Sequence, residues 1–176
     1  MEMGKENRTY MRIPTRLRAH ARRIDSADSQ PLFRGIATQT ETTRPSKVTG
    51  VPENLTTLLS EINSKLDLLV SSMNRELLLK DFPIQLEIVE ISGAGVRFVN
   101  DGSVAINDNL ELIIILSHFP LRLAGVSGTV QREVEKEDKR FYAFNFKHIR
   151  DHDREAIVQY VFQEQREIIR ESKNEY

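Results

Sequence analysis

Two segments of this sequence combine side chains that can contact a ligand. The first lies near the N-terminus and holds Arg8 and Arg12, four positions apart. The second, Glu90-Ile-Ser-Gly-Ala-Gly95, holds a carboxylate, a hydroxyl group and two glycines. A guanidinium group can pair with phosphate through two hydrogen bonds and can stack on a flat base. Glycine lets a backbone approach a ligand closely, so these two segments are the candidate parts of a ligand site.

The N-terminal segment is strongly basic, although the chain as a whole is nearly neutral. Residues 1–24 hold seven lysine and arginine side chains against two glutamates, a surplus of five positive charges. Since the net charge of the chain is −1, the remaining residues carry a net charge of −6. Two interpretations follow: these arginines pair with phosphate, or they form the solvated polar face of a strand.

The second segment lies between two stretches that have the pattern of β-strands. Apolar residues are dense from 84 to 91 and alternate with polar ones from 96 to 99. Two such stretches joined by a corner of serine and glycine predict a β-hairpin. Because Gly93 and Gly95 permit a positive φ or a close approach, we expect the corner Ser92–Gly95 to be a ligand-facing edge.

Further strands are predicted on both sides of this hairpin. Residues 12–24 alternate between apolar and mostly basic side chains, and residues 110–116 are almost all Leu and Ile, as in a strand buried on both faces. Two alternating stretches, 121–132 and 140–146, are separated by the charged turn 133–139. Six or so antiparallel strands at short spacing indicate a mainly β fold, a small barrel.

A helix is predicted at the end of the chain. Asp151 or Asp153 can cap it, and it runs to about Lys173. Its apolar stripe is expected to cover one end of the sheet. The stripe and its flanking residues are Ile157, Tyr160, Val161, Phe162, Gln165, Ile168 and Ile169.

An insertion separates the first strand from the hairpin. Residues 25–54 are rich in Ser, Thr, Asp, Pro and Gln and predict a linker, with a short β-like patch at 32–38. A helix follows at about 53–80 and is ended by Pro83. Its apolar residues form a heptad seam: Leu55, Leu59, Ile62, Leu66, Leu69 and Met73. Either this helix packs on its own domain, or residues 55–79 form a coiled coil between the subunits of a homo-oligomer.

Composition and motifs exclude several classes of site. The chain has no cysteine, which excludes disulfides and thiolate zinc sites, and its four histidines lack metal-ligand spacing. It has no nucleophile elbow, P-loop or dinucleotide fingerprint. No apolar stretch approaches the ~20 residues of a membrane-spanning helix, and no secretory signal is apparent. We expect a cytoplasmic protein that is not an enzyme, has no metal or cofactor and does not insert into a membrane.

Taken together, the two candidate segments resemble the signature of the PilZ domain family, receptors of cyclic di-GMP. That signature is RxxxR followed later by (D/N)xSxxG. Arg8 and Arg12 match its arginines, Ser92 its serine and Gly95 its glycine. The segments VRF, FYAFNF and IVQYVFQEQRE also look like the C-terminal part of the family. The resemblance covers about 5–24 and 83–172.

The resemblance implies a fold and a domain organisation. The fold is a six-stranded antiparallel PilZ-type barrel with a long inserted helix and a C-terminal helix. Residues 1–24 and 83–176 make up this barrel domain, and residues 25–82 are its insertion. Helical insertions with heptads also occur in some oligomeric PilZ-like proteins.

The resemblance also implies a function, a cyclic di-GMP receptor that signals when its N-terminal arm becomes ordered over the ligand. The expected ligand-binding residues are Arg8, Arg12, Glu90, Ser92, Gly93 and Gly95. Glu90 departs from the family pattern of Asp or Asn, so it is either a ligand contact or a solvated residue paired with Arg97 or Arg12. The alternative function is a degenerate, oligomeric adaptor without nucleotide binding. A downstream protein partner is expected in both cases, and a nucleic acid polymer is not, because Tyr10 is the only aromatic residue that accompanies the arginines.

Overall fold

Among the described residues, six strands form one antiparallel sheet that closes on itself in the order β1-β2-β3-β6-β5-β4. The computed structural model describes residues 10–29, 31–33, 52–118 and 121–174, without the side chains of 53, 67, 68, 70–79, 173 and 174. Arg8, and most of the predicted linker with its β-like patch, lie outside the described residues. The strands are β1 (Arg12–Arg23), β2 (Ile84–Ser92), β3 (Gly95–Val99), β4 (Asn109–His118), β5 (Leu121–Lys136) and β6 (Lys139–Ile149), and the helices are α1 (Glu53–Asp81) and α2 (Asp151–Asn174).

The core follows from the apolar patterns of the strands. In β1 the alternation directs Ile13, Ala19 and Ala21 into the barrel, where all three are buried. In β4 almost every residue is buried, because the other face is also covered: Ile113 packs in a second cluster on the outside of the sheet. Phe82, which follows α1, belongs to that outer cluster. The predicted mainly β fold with a six-stranded ring and two helices is confirmed.

A β-bulge in β2 explains a change of phase in its apolar pattern. Ile88 pairs with Phe98 and Glu90 pairs with Arg97, so β2 has one extra residue, Val89, at this point. Such an insertion bends a strand and changes the direction of the side chains that follow. As a result Ile88 and Ile91, three positions apart, are both fully buried, and Glu90 lies on the outer surface between them.

The charged segment 133–139 is not a turn, as the sequence pattern indicated, but mostly two paired strands. The ladder between β5 and β6 extends through Glu135 and Arg140 to Lys136 and Lys139. Only Glu137 and Asp138 form the turn, with φ of 52° and 57°. Positive φ at both central residues is the geometry of a tight two-residue hairpin, which needs far fewer residues than a charged loop would.

Helix α1 ends within one residue of its predicted C-terminus. Its described seam residues Leu55, Leu59, Ile62, Leu66 and Leu69 are between 44% and 61% exposed. The barrel of the same chain therefore does not cover the described part of this seam. No helix in the described part of the chain is long and apolar enough to cross a membrane.

Only the N-terminal half of α2 covers the sheet. The helix begins at Asp151, and Ile157 and Val161 are buried against the barrel core. The predicted packed stripe was too long, because Phe162, Ile168 and Ile169 are exposed. The period of a helix shows which face is apolar but does not show how far the neighbouring surface extends.

Candidate functional site

The register of the barrel places Arg12 beside the Ser92–Gly95 corner. Arg12 pairs with Ser92 between β1 and β2, and Ser92 pairs with Gly95 between β2 and β3. Gly95 pairs in turn with Asn145 of β6. Residues paired directly across antiparallel strands lie about 5 Å apart, so the second arginine of the N-terminal segment and the corner form one site. Arg8 lies outside the described residues.

A second cross-strand row runs next to the first. Glu90 pairs with Arg97 between β2 and β3, and Arg97 pairs with Ala143 of β6. Ala143 pairs in turn with Arg132 of β5. The two arginines of this row therefore flank one small residue, and the row contributes two positive charges and one negative charge to the site.

The two rows form the lining of a groove of about 280 Å³, which we call the corner groove. Three arginines and one glutamate line it, a formal surplus of two positive charges. Where Gly95 and Ala143 lie, the lining has almost no side chain, so a flat group could approach the backbone. Its lining residues are Arg12, Glu90, Ser92, Ala94, Gly95, Val96, Arg97, Gln131, Arg132, Ala143, Phe144 and Asn145. This arrangement favours an anion with flat, hydrogen-bonding parts.

The carboxylate of Glu90 pairs with two arginines of this groove. Its Oε1 lies 3.7 Å from Nη1 of Arg12, and its Oε2 lies 3.5 Å from Nη1 of Arg97. The side chains of Arg12 and Arg97 are 44% and 39% exposed, and that of Glu90 is 28% exposed. Both of the pairings anticipated for a solvated Glu90 are therefore present together, at a groove that solvent reaches.

The hydroxyl group of Ser92 is engaged within the corner. It donates to the carbonyl oxygen of Gly95 at 3.1 Å and accepts from the backbone N–H of Ala94 at 3.3 Å. Serine hydroxyls often stabilise turns through such local bonds. Ser92 is also buried, so in this state its hydroxyl shapes the corner instead of pointing freely into the groove.

The two glycines of the corner meet different parts of the chain. A Cβ atom at Gly93 would lie 2.7 Å from Cδ1 of Tyr10, whose ring therefore rests on this glycine. A Cβ atom at Gly95 would lie 2.3 Å from the carbonyl oxygen of Phe144 in the neighbouring strand. Gly93 thus leaves room for a residue of the N-terminal segment, and Gly95 allows β3 to approach β6 closely.

The C-terminal helix also reaches the corner. Nη1 of Arg154, in the first turn of α2, donates to the carbonyl oxygen of Gly93 at 3.3 Å. The corner is therefore contacted from one side by Tyr10 and from another by α2. No group of three or more His, Cys, Asp and Glu that could hold a metal ion occurs among the described residues.

Sequence reasoning missed several residues at this site. Arg132 comes from β5 and reaches the groove only through the pairing of β5 with β6 and of β6 with β3. Arg154 is one charged residue among many in α2, and nothing local distinguishes it. Arg97 was anticipated only as a partner of Glu90, and the alternation in Val96-Arg97-Phe98, with its outward-facing arginine, was a usable signal for its place in the groove.

A larger groove lies elsewhere on the barrel, at the surface formed by β1, β2 and β4. It has a volume of about 950 Å³ and includes Arg16, Glu87 and His118 in its lining. Arg16 pairs with Glu87 at 3.3 Å, and the arginine side chain is 90% exposed. Arg16 and Glu87 belong to the same strands as Arg12 and Glu90 without lining the corner groove.

Comparisons with known structures agree with this fold. The chain aligns with a tetrameric PilZ domain protein from Xanthomonas campestris, self-assembled through a helical bundle, at 16% identity and a TM-score of 0.57, over 92% of this chain and 91% of the other. It aligns with the inhibitor of motility MotI/DgrA of Bacillus subtilis at 18% identity and a TM-score of 0.52, over 91% of this chain. It spans about half (51%) of that second protein. At these identities the likeness concerns the fold.

The family is established by the sequence match. No curated protein matches this chain. The family model of the PilZ domain matches residues 67–163, which is more than half of the chain and runs from the middle of α1 into α2. The matched range includes the Glu90–Gly95 corner and lies entirely downstream of Arg12. The resemblance expected from the two short motifs is therefore confirmed: this chain belongs to the PilZ domain family.

Proposed function

We propose that this protein is a non-enzymatic receptor for cyclic di-GMP. The observation that carries the proposal is the position of Arg12 beside the Ser92–Gly95 corner, in a groove with two surplus positive charges. Cyclic di-GMP has two phosphates and two flat guanines, and arginine can both neutralise a phosphate and stack on a base. Membership of a family of cyclic di-GMP receptors supports the same assignment.

The proposed ligand-binding residues have distinct roles. Arg8 and Arg12 contact phosphate or guanine from the N-terminal side, and Glu90 lies where the family places Asp or Asn. Ser92 holds the shape of the corner, and Gly93 and Gly95 keep it clear of side chains. Closure of the two arginines over the ligand orders the N-terminal arm against the barrel, and this new surface is then recognised by a downstream protein. Ordering of a segment by a ligand is a common switching device.

Calorimetric titration with cyclic di-GMP tests this function. Arg12→Ala should weaken binding at least about tenfold, because a charge-assisted contact to phosphate is worth ~1.5–3 kcal/mol. Arg16→Ala is the matched control: it removes the same charge from the same strand at a residue outside the corner groove. The control should bind within about twofold of the parent protein. Equal binding by the parent and Arg12→Ala, or no binding by either, contradicts the proposal.

The second candidate function is an oligomeric adaptor that works through α1 without a nucleotide. The specific observation in its favour is the exposed leucine seam of α1, which water contacts along its described length. The tetrameric Xanthomonas protein, assembled through a helical bundle, shows that this fold supports such assembly. Heptad seams of this kind are normally buried against another helix.

The mass of the protein in solution tests whether chains associate through the seam of α1. Ile62→Glu combined with Leu69→Glu should shift the protein towards the monomer, since two buried charges in a short coiled coil are costly. Ser60→Glu combined with Ser64→Glu is the control, because these residues lie off the seam and add the same charge. An unchanged mass in the seam variant, measured by light scattering, would contradict association through α1.

A further inference from the structure

Glu90 provides the corner groove with an anion of its own. Its two carboxylate oxygens face two different arginines, Arg12 from β1 and Arg97 from β3. Each arginine is about two-fifths exposed, so both are accessible from the groove. A phosphate group that entered the groove would form hydrogen bonds with the same arginine N–H groups that Glu90 now faces.

The pairing depends on where the bulge directs Glu90. Its backbone pairs with Pro14 on one side and with Arg97 on the other, so the side chain rises between β1 and β3. Arg12 lies two residues before Pro14 on the same strand. A glutamate at this position can therefore reach arginines on both neighbouring strands at once.

The charges in the groove indicate how the pairing of Glu90 with the two arginines lowers the affinity for an anionic ligand. With Glu90 ionised, the three arginines of the groove keep a surplus of two positive charges, and without it the surplus is three. An incoming anion must separate Glu90 from Arg12 and Arg97, and it then shares the groove with a carboxylate. Both effects weaken the binding of a doubly negative ligand.

We infer that Glu90 is a built-in competitor: it occupies Arg12 and Arg97 in the empty groove, and the phosphate of an anionic ligand displaces it. This inference rests on the proposed cyclic di-GMP function and assigns Glu90 a role in lowering the affinity. The opposite assignment, a carboxylate that accepts hydrogen bonds from guanine N–H groups, predicts the reverse effect when the charge is removed.

Titration of the full chain with cyclic di-GMP separates the two assignments. Glu90→Gln keeps the size of the side chain and removes its charge, and it should bind about threefold to tenfold more tightly, the range expected for the release of two partly exposed ion pairs. Glu90→Ala should also bind more tightly. Glu87→Gln is the control: it removes the same charge from the same strand, at a residue that forms an ion pair with Arg16 outside the corner groove, and should bind like the parent.

Each outcome of the titration bears on the role of Glu90, on the receptor function, or on both. If the parent binds and Glu90→Gln binds equally or more weakly, the inference is wrong and the receptor function stands. If only the Glu90 variants bind, Glu90 blocks the groove, and the parent is not a receptor. If neither binds, both proposals are wrong. Equal tightening in Glu87→Gln would assign the effect to overall charge and would overturn the role of Glu90.

Discussion

The ring of Tyr10 lies against Gly93, so that a Cβ atom at residue 93 would come within 2.7 Å of the ring. This contact joins the N-terminal segment to the Ser92–Gly95 corner. The tyrosine is 42% exposed, so it can move away at little cost in stability. The position of the segment that carries Arg12 therefore depends on residue 93 having a hydrogen atom where any other residue has a Cβ atom.

Gly93→Ala should displace Tyr10 and weaken the binding of cyclic di-GMP several-fold, while the barrel remains folded. The reason is steric, since the methyl group takes the space of the ring. A double-mutant cycle with Tyr10→Ala provides the check. In the Tyr10→Ala background the glycine substitution should have little further effect on calorimetric affinity. An equal loss in both backgrounds would show that Gly93 acts without Tyr10.

Gly95→Ala should instead destabilise the barrel. Its Cβ would meet a backbone carbonyl oxygen at 2.3 Å, and a backbone atom cannot rotate away as a tyrosine ring can. We expect a loss of about 1–3 kcal/mol in the free energy of unfolding, the usual range for overpacking. Urea unfolding measures this loss, with Gly93→Ala as the control that adds the same methyl group two residues away. Equal stability of the two variants would contradict the distinction drawn between these glycines.

The buried carboxylate of Glu111 holds Leu32 and Phe33 against the barrel. It is 1% exposed, pairs with Arg22 at 2.6 Å, and accepts from the backbone N–H groups of Leu32 and Phe33 at 3.1 Å and 2.8 Å. Truncation leaves a guanidinium and two backbone donors without their acceptor. Since the Arg22 side chain is 27% exposed, we expect Glu111→Ala to cost about 2–4 kcal/mol, somewhat below a fully buried pair.

Chemical unfolding compares this variant with Glu133→Ala, which removes the exposed pairing of Glu133 on β5 with Arg140 on β6. The control should lose less than about 1 kcal/mol. The same cost in both would mean that Glu111 does not hold residues 31–33. A Glu111→Gln variant should recover part of the loss, because an amide oxygen still accepts hydrogen bonds.

Helix α1 and Glu111 differ in how far local sequence patterns predict them. The bounds of α1 were predictable within a residue because its signals are local, with Pro52 before it and Pro83 after it. The run 110–116 was identified as a strand buried on both faces, but nothing in it marked Glu111 as an anchor. Its partners are 78 or more positions away in the sequence, and single-sequence patterns contain no information on such pairings.

The residues of the candidate site likewise fall into two groups, those that the sequence pattern indicated and those that only the fold brings to the groove. Arg12, Glu90 and the corner, which lie together in the structure, were proposed as site residues because their types and spacing form a recognisable pattern, and the pairing of Glu90 with a nearby arginine was anticipated. Arg132, on β5, enters the groove through a crossover in strand order, β3-β6-β5. The engagement of the Ser92 hydroxyl in its own turn depends on geometry that residue types alone do not specify.

The hydroxyl of Tyr160 in α2 bonds to that of Thr15 in β1 at 2.6 Å, and this contact predicts a response to high pH. Burial raises the pKa of Tyr160 above its ordinary value of 10.0, assisted by the charges of Glu164 and Glu167 and opposed by the bond to Thr15. The unfolded chain therefore loses this proton first as the pH rises. Stability from this group is complete below pH 10 and should fall as the pH rises towards the folded-state pKa.

Ultraviolet titration of tyrosinate tests this directly. Tyr160→Phe should remove a component that titrates above the ordinary tyrosine range, and its free energy of unfolding should decline less than that of the parent as the pH rises above about 10. Thr15→Val should move the same component to a still higher pH, because the hydroxyl of Thr15 lowers the pKa of Tyr160. If Tyr160→Phe removes only a component at the ordinary pKa, the packing of α2 on β1 does not protect this phenol.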